Sequence, residues 1–63
     1  MLNSKIKAIR EQNNLSMEYV AIQMEISLKD YYKIERGEID LKLSKLDKLV
    51  KILGIQKSQL FRN

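Results

Sequence analysis

The sequence predicts an all-α domain, a compact bundle of five short helices. Three observations carry that reading. Proline is absent and glycine occurs only twice, at Gly37 and Gly54, so helices meet few breakers and connections are short. Apolar residues recur at i, i+3, i+4 and i+7 in two separate stretches, the spacing of one buried helical face. Serines stand where helix N-termini want a cap, and the two glycines stand where helices end.

Leu2, Ile6 and Ile9 lie close to one face over residues 3 to 13, which predicts a first helix. "QNNL" then reads as a turn, because Asn tolerates non-helical backbone. Ser16 is a suitable N-cap for a second helix, with Glu18 in its first turn where the helix dipole favours a carboxylate. Met17, Val20, Ala21 and Met24 form its buried face. Ser27 caps a third helix in which Tyr31 and Ile34 share the inward side. Adjacent residues point about 100° apart on a helix, so Tyr32 is assigned outward, and Gly37 supplies the left-handed stop. Ser44 and Asp47 form a near capping box for a fourth helix, with Asp in the place of the usual Glu. Leu46, Leu49, Val50 and Leu53 are its buried face, Gly54 ends it, and Ile55 packs back over it. "KSQLFR" is a fifth turn or helix with Leu60 and Phe61 as its apolar pair.

Sixty-three residues allow a single domain, residues 1–63. A domain of this size buries only about 60% of its unfolded surface. It has neither cysteine nor histidine, so disulfides, thiolate sites and the usual structural zinc sites are excluded, and no metal or other cofactor is expected. The lack of cysteine fits a cytoplasmic protein. No run approaches the roughly 18 apolar residues of a membrane span, and "MLNSKIKAIR" has no signal-peptide core. With no phosphate-cradling Gly-rich loop and its carboxylates scattered over helices, the chain is not expected to be an enzyme or to take a small-molecule substrate. The formal charge of +4 is compatible with an anionic partner.

The stretch "SMEYVAIQMEISLKDYYKIERG" holds the second and third helices and their connection, residues 16 to 37. Small Ala21 lets the two helices cross closely, and Ile26 between them plugs the core. This is the order of a helix-turn-helix, whose second helix lies in the DNA major groove. "LS" at 15–16, Val20-Ala21, Met24, "IS" at 26–27, "KIERG" at 33–37, "LSKLDKLVKILGI" at 43–55 and "LF" at 60–61 together resemble the Cro and phage-repressor, Xre-like type of helix-turn-helix. The resemblance runs from about Ile6 to Phe61.

It implies a lambda-repressor-like five-helix fold and a role as a sequence-specific DNA-binding transcriptional regulator, associated with the nucleoid. Two copies would bind a palindromic operator as a homodimer. The resemblance also implies a partly buried, structural ion pair between Arg10 and Glu35. It places base-facing positions at Leu28, Lys29, Asp30, Tyr32 and Lys33, with Ser27, Met17 and Lys42 beside them on the DNA-binding surface. Lys29 and Lys33 can reach guanine or a phosphate, Tyr32 and Leu28 a thymine methyl, and Asp30 cytosine N4. Ile55, Leu60 and Phe61 are the implied dimer contacts.

Three residues depart from the family pattern. Met17 stands where Gln commonly holds a phosphate. Glu25 stands where the turn usually has Gly, at a backbone cost of roughly 1 kcal/mol if that position is left-handed. Ile22 falls on the outer face of the second helix and with Tyr19 offers an apolar patch. Charge is also unevenly spread. Residues 16–40 carry Lys29, Lys33 and Arg36 against Glu18, Glu25, Asp30, Glu35, Glu38 and Asp40, a net of −3. Residues 41–63 carry a net of +5, most of it in Lys42, Lys45, Lys48 and Lys51. An acidic reading unit predicts weak DNA binding by a lone monomer. The alternative to DNA binding is a protein-interaction module on the same fold, of the antitoxin or anti-regulator kind.

Overall fold

The computed structural model describes residues 2–60, and the side chains of residues 4–60. Four α-helices run in order: α1 (Leu2–Gln12), α2 (Met17–Met24), α3 (Leu28–Glu35) and α4 (Leu43–Leu53), followed by a 3-10 turn at Lys57–Leu60. The expected fifth helix is therefore a single tight turn. Four residues cannot complete an α-helical ladder, and here the side chain of Gln59 accepts from the backbone N–H of Gln56 at 2.9 Å, closing the turn locally.

Serine caps start α2 and α3. Ser16 takes extended backbone and its hydroxyl accepts from the N–H of Tyr19 at 3.0 Å; Ser27 does the same for Asp30 at 3.0 Å. The fourth helix departs from expectation. Its cap position is Lys42, with no side-chain bond, and Ser44 lies inside the first turn. A capping hydroxyl needs an extended residue to project from, and Lys42 (φ −70°, ψ 155°) is the extended one. Asp47, freed from any capping box, forms an ion pair with Lys57.

All four helices stop in the same way. A left-handed residue follows each one: Asn14, Glu25, Gly37 and Gly54, with φ of 57°, 61°, 77° and 72°. The next residue's N–H reaches back five positions, from Leu15 to Arg10 (3.1 Å), Ile26 to Ala21 (3.1 Å), Glu38 to Lys33 (2.9 Å) and Ile55 to Val50 (3.1 Å). The left-handed residue's own N–H reaches the carbonyl three positions back, at 3.0 to 3.2 Å. These are Schellman stops, which satisfy carbonyls that a helix end leaves unpaired. In three of them the residue after the left-handed one is apolar and packs on the core: Leu15, Ile26 and Ile55. In the fourth it is Glu38, which is exposed.

The core joins Ile6 of α1, Val20, Ala21 and Met24 of α2, Tyr31 and Ile34 of α3, and Leu46, Leu49, Val50 and Leu53 of α4. Buried Ala21 leaves room where α2 and α3 pack on each other. Leu60 is also in this cluster, only 2% exposed. Its side chain is therefore consumed within its own monomer and is not a surface contact for a second copy. Phe61 lies outside the described residues, and Ile55 is half-buried against the core.

Candidate nucleic-acid interface

Burial divides α3 into two faces. Tyr31, Ile34 and Glu35 are buried, while Leu28, Lys29, Asp30, Tyr32 and Arg36 at the helix end are exposed and Lys33 is half-buried. The two adjacent tyrosines take opposite environments, Tyr31 at 0% exposure and Tyr32 at 48%.

The inward face is held by polar bonds as well as by packing. Arg10 of α1 donates from Nε to Glu35 Oε2 at 2.6 Å and from Nη2 to Oε1 at 3.3 Å, and its Nη1 donates to the Leu15 carbonyl at 2.8 Å. The Tyr31 hydroxyl donates to the same Oε2 at 2.5 Å. The bond to Glu35 raises the guanidinium pKa against the opposing effect of burial. Burial, then the bond to Glu35, pushes the Tyr31 hydroxyl well above the ordinary phenol value. Buried charge is costly unless paired and fully bonded, and no described buried side-chain polar atom lacks a partner. Arg10 thus ties the end of α3, through the Glu35 carboxylate, to α1 and to the connection before α2. Arg10 and Glu35 are an internal tie, and Glu35 contributes no charge to the outer face.

The outer face presents a mixed set. Lys29 and Lys33 project cations, and Tyr32 offers a ring with the Arg36 guanidinium 5.4 Å from its centroid. Leu28 is an exposed apolar side chain at the start of α3. Asp30 lies in the first turn, and its N–H is taken by the Ser27 cap. The Ser27 hydroxyl is thus already an acceptor, with its proton still available to a phosphate. Met17 is half-buried and packs on the core edge. Its thioether has no hydrogen to donate, so it cannot hold a phosphate oxygen as the usual Gln does. Lys42 is exposed at the N-terminus of α4.

Sequence reasoning missed Arg36 as part of this face. The signal available was the i, i+4 spacing from Tyr32, which stacks the two side chains on one helical side. It also missed how the cations are partnered. Arg36 pairs with Glu38 at 2.9 Å, and Lys48 with Glu25 at 2.8 Å. The Lys48 bond lowers the Glu25 pKa. Away from α3, Tyr19 and Ile22 are exposed on α2, Ile22 at 70%.

No group of acidic side chains among the described residues is placed to hold a metal ion. No helix among them is long and apolar enough to cross a membrane. No curated protein and no solved structure matches the chain. A family described as helix-turn-helix domain matches residues 3–63. Its extent takes in α2, the left-handed turn at Glu25, α3 and the helices that brace them, and the chain belongs to this helix-turn-helix domain family.

Proposed function

We propose that this domain binds duplex DNA sequence-specifically, with α3 in the major groove, and acts as a transcriptional regulator of the Cro and phage-repressor, Xre-like type. The observation that carries the reading is the division of α3. One face is locked to α1 by Tyr31, Glu35 and Arg10. The other leaves Leu28, Lys29, Tyr32, Lys33 and Arg36 outside the core. A helix held this firmly from behind presents its outer side chains at a defined register, which base reading requires. The role is binding rather than catalysis, and it needs no metal or cofactor.

A lone domain contacts one half-site, and its acidic helix-turn-helix unit gives little electrostatic attraction. Two copies on a palindrome, with their α3 helices one DNA turn apart, supply the missing affinity. With Leu60 consumed in the core, Phe61 and Ile55 remain as the contacts for that homodimer. A working place at the nucleoid in the cytoplasm follows from the same reading.

The test is selection of duplexes from a random pool, followed by gel shifts at low and moderate salt. Regulation by operator binding requires enrichment of a two-fold symmetric motif and retention of weaker binding to random duplex at low salt. Absence of both transfers the function to protein partners, for which Tyr19 and Ile22 on α2 are the surface to examine.

A further inference from the structure

The Schellman stop of α3 differs from the other three in one respect. Leu15, Ile26 and Ile55 close their helix ends against the core, whereas Glu38 occupies the equivalent place and is exposed. The motif itself fixes where Glu38 sits. Its N–H is bonded to the Lys33 carbonyl at 2.9 Å, and Gly37 at φ 77° reverses the chain. The Glu38 carboxylate is thereby brought back beside the last turn of α3. There Oε2 lies 2.9 Å from Arg36 Nε as an ion pair. Both side chains stay open to solvent, Arg36 at 58% and Glu38 at 47%. The same guanidinium lies over the Tyr32 ring, on the outer side of the helix that the DNA reading assigns to the groove.

We propose that Arg36 is a DNA phosphate contact held in reserve by Glu38, so that docking exchanges a carboxylate for a phosphate on one guanidinium. The inference rests on the DNA-binding reading above. Three features support the exchange. Carboxylate and phosphate present the same kind of anionic oxygens to the guanidinium fork, so one replaces the other without moving the arginine. The Tyr32 ring supports the guanidinium independently of Glu38, so Arg36 stays on the docking side once the carboxylate leaves. The pair is solvated and contributes little to stability, so its exchange does not endanger the fold. Docking must first free the guanidinium from Glu38, which lowers the sequence-independent part of the affinity. A base contact is excluded from the claim, because Arg36 follows the last residue of α3 while the opening turn enters the groove.

Binding of random and selected duplexes by wild type, Glu38→Gln, Arg36→Gln and the double variant, over a range of salt, tests the exchange. Glu38→Gln should tighten binding to both duplexes by the same factor, roughly two- to fivefold for an exposed pair. It should also steepen the plot of log K against log salt by up to about one. Arg36→Gln should weaken both equally, and in its background Glu38→Gln should give no gain. A gain that persists without Arg36 makes Glu38 a general repulsive charge and overturns the exchange. No gain at all overturns it too, while wild-type binding leaves the DNA reading intact. Only failure of every protein, wild type included, to bind any duplex at low salt removes both. Thermal melts serve as the fold control and should coincide.

Discussion

The Tyr31 hydroxyl donates to Glu35 Oε2 one helical turn away, and that oxygen also accepts from Arg10 Nε. The phenol must keep its proton to make this bond, and it sits in the core beside a carboxylate. Its pKa is therefore raised in the folded state. The sign follows directly. The stabilisation is complete below the unfolded tyrosine value of about 10 and falls as pH rises above it, because at first only the unfolded chain releases this proton. The limiting slope for one proton is about 1.4 kcal/mol per pH unit. Urea melts from about pH 8 to about pH 11 on wild type and Tyr31→Phe check it. Wild type should lose stability more steeply, and parallel curves would show that Tyr31 ionises freely in the fold.

Breaking the tie between α1 and α3 from one side should cost more than removing it whole. Arg10→Met takes the guanidinium away from a charged, buried Glu35, a loss of roughly 3 kcal/mol or more. Arg10→Met with Glu35→Leu removes both charges and should recover much of that loss. Chemical denaturation of both variants decides it, and equal losses would mean that neither charge is desolvated in solution.

The elements were legible because apolar spacing and serine caps agreed with each other at α2 and α3. At α4 they competed. Leu46 to Leu53 located the helix correctly, but its start depended on where the loop after Gly37 released the chain, and Ser44 carried no information on that. The tie between Arg10 and Glu35 spans 25 positions, so no local periodicity reveals it, and only resemblance to known domains pointed there. Tyr31 joining that tie was within reach, since Tyr31 and Glu35 are four apart and share a face. The partnering of Arg36 by Glu38 was not, because it depends on a backbone reversal after the helix end.

Glu25 adopts φ 61° where a side chain is strained, and its carboxylate compensates in part by meeting Lys48. Glu25→Ala removes that bond and keeps a Cβ; Glu25→Gly removes both. The glycine variant should therefore be the more stable of the two, by about 1 kcal/mol, the usual backbone cost of a left-handed L-residue. Thermal melts of the pair measure it, and equal midpoints would mean that the turn relaxes out of the left-handed region.

The two tyrosines separate folding from docking. Tyr31→Ala should cost about 3–5 kcal/mol, against about 3–9 kcal/mol of total stability typical for a chain of this length, so that variant should lose at least about a third of its stability. Tyr32→Ala should shift the melt by no more than about 0.5 kcal/mol while weakening binding to a selected operator. Lys29→Ala and Lys33→Ala should also spare the fold, each flattening the salt dependence by about one where it meets a phosphate. Circular dichroism melts with gel shifts assign each residue. Reversed behaviour of the two tyrosines would mean that α3 is rotated.

Every helix in the described chain is terminated by bonds that close within six residues, from the carbonyl of the last full turn to the residue beyond the left-handed one. Such stops form as soon as the local segment does, without waiting for a distant strand or loop. Refolding is then limited mainly by docking four short helices as they form, a search over short sequence separations that takes microseconds to milliseconds in helical domains. The chain also contains no proline, so it has no X–Pro bond whose isomerisation would add a phase of tens of seconds. Rapid-mixing refolding should therefore run as a single exponential with full amplitude. The rate should be insensitive to prolyl isomerase, and the domain should regain its DNA-ready form almost as soon as it leaves the ribosome.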